Sequence, residues 1–200
     1  MSEPAAALDA HVADSLSALE LGEPMAGARA VADVGAGAGF PGLALAIALP
    51  RARVDLIEAT GRKAAVITRL AAAAKLENAR AVTARAEELA AVPAALGGGA
   101  GAYDLVTARA VAALPVLVEY AAPLLCMEGF LVAWKGERSA AEEEAGASAA
   151  AALGMEQAEI RRVEPFEGAR SRHLHVFRKV APTPDRFPRR AGMAAKRPLG

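Results

Sequence analysis

Short apolar runs alternate along this chain with longer stretches of helical periodicity. The first run, Ala30 to Val34, leads through a glycine cluster into Leu43 to Leu49, whose length and alanine content predict a buried helix. The succession then repeats. Val54 to Ile57 precedes a helical stretch at Lys63 to Lys75, and two more strand-like runs follow at Ala79 to Thr83 and Tyr103 to Thr107. Residues 111–125 predict a further helix with Pro115 near its start, Gly129 to Trp134 a fifth strand, and Ser139 to Leu153 a helix whose glutamates 142–144 face solvent. The last two runs, Met155 to Val163 and Arg172 to Lys179, lie too close for a helix between them and are expected to pair antiparallel. Strands alternating with helices predict an α/β, Rossmann-like fold: a mostly parallel seven-stranded sheet ending in an antiparallel hairpin.

Composition bounds that picture. Two hundred residues, 54% of them apolar, suffice for one core and not for two. A single domain is expected over residues 1–180, opening with a short helix at 5–21. Ala181-Pro182-Thr183-Pro184 should end regular structure and leave 181–200 as a basic, proline-rich tail. The one cysteine, Cys126, excludes an internal disulfide and a thiolate metal cluster, and in Leu125-Cys126-Met127 it reads as a small apolar filler. No metal is expected. Neither a signal-peptide layout in Met1 to Ala13 nor an apolar run of roughly 18 residues is present, so a cytoplasmic protein without a membrane partner is expected.

The zero net charge hides an asymmetry. Residues 1–160 hold 12 basic against 20 acidic side chains, and residues 161–200 hold 11 against 3. A basic end is compatible with a nucleic-acid partner and equally with plain solvation. Arg186, Arg189, Arg190, Lys196 and Arg197 are candidates for phosphate contacts.

Candidate chemistry gathers at the predicted strand ends. Asp33-Val34-Gly35-Ala36-Gly37-Ala38-Gly39-Phe40-Pro41-Gly42 joins the first strand to its helix, and its glycines allow a sharp turn close to a ligand. Glu58, 23 residues after Gly35, ends the next strand, where a carboxylate can accept both hydroxyls of a ribose. Gly37 to Gly42 also satisfies G-x-G-x-x-G, which keeps a dinucleotide-dependent oxidoreductase open as an alternative. Against it, Asp33 is ill suited to a pyrophosphate and well suited to the ammonium of S-adenosylmethionine. Glu87, after the third strand, is placed to accept from an adenine amine, and Arg109, after the fourth, lies at the crevice where open sheets bind ligands. Lys135, Arg172 and His173 are placed to face the same crevice. His11 and Asp14 read as packing for the N-terminal helix, and Trp134 as core.

His11-Val12-Ala13-Asp14-Ser15-Leu16, the loop Asp33 to Gly42, Glu58-Ala59-Thr60 with Lys63, Ala84 to Glu87, Thr107-Ala108-Arg109-Ala110, Trp134-Lys135-Gly136 and Arg172-His173-Leu174 occur in an order and spacing that resemble the glucose-inhibited division protein B family, the ribosomal RNA small subunit methyltransferases G. The resemblance covers nearly the whole chain. It implies a class I methyltransferase fold, S-adenosylmethionine as cofactor, and methyl transfer to N7 of a guanosine in the decoding-region loop of 16S rRNA. It carries cofactor binding to Gly35, Phe40, Glu58, Ala59, Thr60, Ala86, Glu87 and Arg109, and our own reading of the loop adds Asp33 and Gly37. In one respect the chain departs from the family: only ten residues precede His11, where relatives have a longer helical segment containing Asn-Leu-Thr.

Guanine N7 carries an in-plane lone pair, so no acid or base is expected to be essential, and Arg109, Lys135, Arg172 and His173 are expected to position the substrate. Transfer to an exocyclic amine would favour Asn/Asp-Pro-Pro-aromatic where this chain has Thr107-Ala108-Arg109-Ala110. Transfer to a pyrimidine carbon would need a cysteine nucleophile. A non-catalytic ribosome-binding scaffold is the remaining alternative, resting on the basic C-terminal end. The small ribosomal subunit is the expected partner of a monomeric protein.

Overall fold

The computed structural model describes residues 8–200. Seven strands, β1 (Ala30–Val34), β2 (Arg53–Ile57), β3 (Ala79–Val82), β4 (Tyr103–Arg109), β5 (Leu125–Lys135), β6 (Met155–Val163) and β7 (Arg172–Lys179), form one sheet in the order β3-β2-β1-β4-β5-β7-β6. The strands β1 to β5 run parallel, and β7 is antiparallel to both β5 and β6. Five helices connect the strands: α1 (Gly42–Ala48), α2 (Gly61–Ala73), α3 (Ala86–Ala90), α4 (Leu114–Ala121) and α5 (Ala140–Ala152). This is the expected class I methyltransferase arrangement.

The alternation of side chains along each strand divides the core in two. Leu105, Val132 and Trp134 join the layer with α1, α2 and the N-terminal turns, whereas Val106, Leu131 and Ala133 join the layer with α3, α4 and α5. With both faces covered, the polar ends of the strands are where ligands gain access. The order reverses between β1 and β4, so the helices after these strands diverge and open a crevice at the carboxyl edge.

Two expectations about the chain ends change. Of the N-terminal helix expected at 5–21, residues 5–7 lie outside the described residues. The rest is broken into a π turn (Leu8–Ala13), a single α turn (Asp14–Leu16) and a 3-10 turn (Ser17–Leu21). Its geometry is set by docking on the sheet rather than by helical propensity, since Ser15, Ser17, Ala18 and Leu21 are buried.

The C-terminal segment is not a bare tail. Phe187 and Ala194 are buried, Leu199 packs on the same cluster, and Met193–Lys196 forms a helical turn. Lys179 Nζ donates to Ala122 O at 2.8 Å and also reaches the Thr183 hydroxyl, which itself donates to Ala122 O at 3.0 Å. Burial pushes the Lys179 ammonium down to about 8. Arg189 Nε donates to Glu119 Oε1 at 2.6 Å. The apolar residues among the basic ones decide the path, and the basic surplus is partly neutralised within the fold: Arg161, Arg162, Arg172, Arg178 and Arg189 each pair with a carboxylate.

Among the described residues no helix is long and apolar enough to cross a membrane. Nor does any group of three or more His, Cys, Asp and Glu side chains converge as a metal site would require.

Candidate active site

The glycine loop owes its shape to Asp33. This residue ends β1 with no exposed surface, and its carboxylate accepts from Gly42 N and from Thr107 Oγ1, both at 2.9 Å. One side chain thereby ties together β1, β4 and the start of α1. Gly42 must be glycine for this contact, because an added Cβ would lie 2.7 Å from Asp33 Oδ2 and 2.8 Å from Leu56 Cδ2. Burial pushes the Asp33 carboxyl up to about 7, against the opposing pull of the Gly42 and Thr107 hydrogen bonds and the Arg109 charge. The sequence predicts a carboxylate that meets a ligand's ammonium; in the fold Asp33 has no exposed surface. Both oxygens of Asp33 are committed inside the fold.

Glu58 bridges the loop to the next strand end. Its Oε2 accepts from Gly37 N at 3.1 Å and its Oε1 from Thr60 N at 2.8 Å. A carboxylate has roughly four acceptor positions, so two peptide donors fix its orientation and leave capacity for hydroxyls. Glu58, Gly35, Ala59, Ala86 and Glu87 all line a cavity of about 160 Å³, together with Val111 and Tyr120. At Gly35, where φ is +69°, a Cβ would come within 2.7 Å of Val111 Cγ2. Thr60 caps α2 in extended conformation beside this cavity without lining it.

A second cavity, of about 370 Å³, is lined by His11, Asp14, Arg109, Ala110, Trp134, Lys135, Gly136 and Arg172. Arg109 Nη1 donates to Asp14 Oδ2 at 2.9 Å, and its guanidinium carbon sits 5.8 Å from the Phe40 ring centre. Phe40 in turn stacks on His11 at 5.5 Å. Arg172 Nε approaches the other oxygen of Asp14 at 3.7 Å. Lys135 Nζ pairs with Glu142 Oε1 at 2.6 Å, an oxygen that also accepts from Leu114 N. His173 does not line the cavity; its Nδ1 donates to Gly136 O at 2.9 Å. Trp134 is core as expected, yet its Nε1 donates to Asp14 O at 2.8 Å and so holds the N-terminal turns against the cavity.

Consecutive residues after β4 line the two cavities. Ala110 lines the larger and Val111 the smaller, and between them the chain turns through a left-handed alanine, φ +57° at Ala110. A non-glycine residue held there stores on the order of 1–2 kcal/mol of backbone strain, a cost that clusters at ligand sites.

The sequence reads His11 and Asp14 as packing for the N-terminal helix, and the structure puts both on the larger cavity. Their partners lie at Phe40 and Arg109, and the only available signal was that His-x-x-Asp-Ser-Leu recurs in the family pattern. Sequence reasoning missed Asp55 altogether. That fully buried carboxylate accepts from Arg80 Nε at 2.6 Å and Tyr103 OH at 2.9 Å, away from both cavities, and strengthens the sheet.

Comparison with known proteins bears directly on this geometry. The family model for the rRNA small subunit methyltransferase G, GidB, matches residues 1–174. The chain belongs to this family. Among GidB relatives, the ribosomal RNA small subunit methyltransferase G of Rubrobacter xylanophilus is 44% identical over 200 residues, covering 98% of this chain and 75% of that protein. The corresponding protein of Lacticaseibacillus paracasei is 40% identical over 191 residues, covering 95% and 77%. Membership of the GidB family sets aside the oxidoreductase alternative raised by Gly37 to Gly42.

Solved structures agree on the fold. The antibiotic-resistance methyltransferase Kmr superposes with a TM-score of 0.59 at 21% identity, over 78% of this chain and 88% of that one. A 16S rRNA (adenine(1408)-N(1))-methyltransferase from Catenulisporales acidiphilia, crystallised with S-adenosylmethionine, gives 0.59 at 22% identity, over 82% and 91%.

Proposed function

We propose that this protein methylates N7 of a guanosine in the decoding-region loop of 16S rRNA, with S-adenosylmethionine as methyl donor. The family reaction, methyl transfer to small-subunit rRNA, fixes the class; the atom and the nucleotide are our reading. The observation that carries it is that consecutive residues, Ala110 and Val111, line the two cavities, which we read as the base site and the nucleoside site.

When bound, the cofactor supplies an electrophilic methyl on a sulfonium. The chain's own residues do the rest by placement. Glu58, oriented by Gly37 and Thr60, accepts ribose hydroxyls, and Glu87 accepts from the adenine amine. Gly35, Ala59 and Ala86 leave room for the nucleoside. Asp33 acts through the loop it clamps.

On the acceptor side, Arg109 is held by Asp14 and faces the base site, with Lys135 and Arg172 available to phosphates or to the guanine O6. His173 supports the adjoining turn through Gly136. No proton must leave guanine before N7 attacks, so alignment is the main demand, and positioning of this kind supplies on the order of 7–11 kcal/mol. We further propose that the protein acts as a monomer in the cytoplasm.

Mass spectrometry of 16S rRNA nucleosides from a deletion strain tests the reading. One 7-methylguanosine should be lost and should return on complementation with the wild-type gene but not with an Arg109→Ala copy. Full modification in the deletion strain would defeat the proposal. Purified small subunits, compared with naked rRNA as substrates, would identify the form on which it acts.

A further inference from the structure

The C-terminal segment reaches the smaller cavity. Gly192 N donates to Glu87 Oε1 at 2.8 Å, across 105 residues of sequence. Glu87 is one of the two carboxylates lining that cavity and, on the reading above, the one that meets the adenine. A peptide N–H on one oxygen narrows the orientations of a carboxylate, and its second oxygen remains able to accept from a ligand's amine. The donor is itself fixed. Gly192 adopts φ +81° at the start of the Met193–Lys196 turn, and three residues earlier Arg189 makes a two-pronged pair with Glu119, whose side chain is only 2% exposed. Glu119 precedes Tyr120 on α4, and Tyr120 lines the cavity too. Phe187, buried and flanked by the guanidinium groups of Arg186 and Arg189 at 5.2 and 6.0 Å, anchors the segment farther back.

We propose that residues 182–200 are a positioning element of the cofactor site: Gly192 orients Glu87 for the adenine exocyclic amine, and the Arg189–Glu119 pair holds Gly192 in place. The inference rests on Glu87 being the adenine contact. It reassigns to the cofactor side a basic segment whose composition alone points to RNA phosphates. The segment lies beyond the residues matched by the family model.

Gly192 offers a clean test. A Cβ at this position would meet nothing within 4 Å, so a substitution acts through the backbone alone. Valine is strained at positive φ and should displace the N–H, whereas asparagine tolerates that region and should preserve it. The probes are S-adenosylhomocysteine and its inosine counterpart, which lacks the amine, bound to the full-length protein and followed by calorimetry. The wild type should prefer the adenine compound by about tenfold, the worth of one charge-assisted hydrogen bond. Gly192→Val should reduce that preference to about twofold or less and raise KM for the cofactor more than it lowers kcat, and Gly192→Asn should behave as wild type. If the valine variant does not fold, Arg189→Lys, which keeps the charge and loses the two-pronged geometry, should show the same loss in part.

Wild-type preference in the Gly192→Val protein, together with its loss in Glu87→Ala, which has no acceptor, would overturn the role of the segment and leave the Glu87 contact standing. Undiminished preference in Glu87→Ala would overturn the contact, and the proposal with it.

Discussion

Asp14 Oδ2 and Arg109 Nη1 meet at 2.9 Å, which ties the N-terminal turns to the end of β4. Both side chains are largely buried, so removing the arginine leaves Asp14 with only the more exposed Arg172, 3.7 Å away, as counter-charge. Arg109→Ala should therefore abolish methylation and cost about 3 kcal/mol of stability. Arg109→Lys should fold close to normally and lose roughly 100-fold in turnover, since a lysine cannot hold the same fork. Single-turnover methylation alongside thermal unfolding checks both. Trp134→Phe, which deletes the bond to Asp14 O and shrinks a buried ring, should cost about 2 kcal/mol and leave cofactor affinity unchanged.

Glu58 carries the clearest prediction for the cofactor. Glu58→Ala removes the proposed acceptor for ribose and also releases the Gly37 and Thr60 peptides that it now orients. Affinity for S-adenosylmethionine should fall by about 100-fold, the worth of two bonds to a charged group. Glu58→Gln should fall less, because an amide still offers one acceptor. Calorimetry with the cofactor alone measures both variants without reference to RNA.

Asp33 should leave a mark on the pH dependence of folding. Its carboxyl titrates near 7 in the folded chain and near 3.8 when unfolded, so the folded state holds the proton more tightly. This group's contribution is fully present below pH about 3.8 and is lost as pH rises through about 7. Asparagine has the same shape, supplies an oxygen for Gly42 N, and does not titrate. The stability of wild type relative to Asp33→Asn should decline steadily from pH 4 to pH 7 and be flat above. Denaturant titrations of the two proteins at matched pH give the difference, and a difference that rose with pH would contradict the assignment.

Gly42 permits one substitution that tests the loop without touching the cavities. An alanine there must displace Asp33 or Leu56 by more than half an ångström, a crowding that costs roughly 1–3 kcal/mol. Since Asp33 holds both Gly42 and Thr107, the loop should loosen as well, and cofactor affinity should drop together with stability. Equilibrium unfolding with and without S-adenosylmethionine separates the two effects.

The sheet was legible because its strands are local features of pattern. The runs at Ala30, Met155 and Arg172 begin and end where β1, β6 and β7 do. Boundaries moved where backbone geometry intervened. α4 begins at Leu114 with Pro115 in its first turn, and β5 begins at Leu125, four residues before the apolar run at Gly129, across a register shift against β4. Cys126 falls on that strand, partly buried, as a filler would.

The candidate site was legible only at the level of residue types on strand ends. That Glu58 is steered by peptides, that Asp14 answers Arg109 across 95 positions, and that Gly192 reaches Glu87 are relations between distant segments. No periodicity encodes them. The C-terminal segment shows the limit most plainly: eleven cations in the last forty residues dominated the reading, while one phenylalanine, Phe187, fixed where the chain goes.

The left-handed turn at Ala110 makes neighbours in sequence belong to separate rooms. With Ala110 on one cavity and Val111 on the other, substitutions on the Arg109 side would, on the proposed reading, retune which nucleotide is admitted while leaving the residues that meet the donor in place. A fold partitioned in this way can acquire new acceptors one side chain at a time.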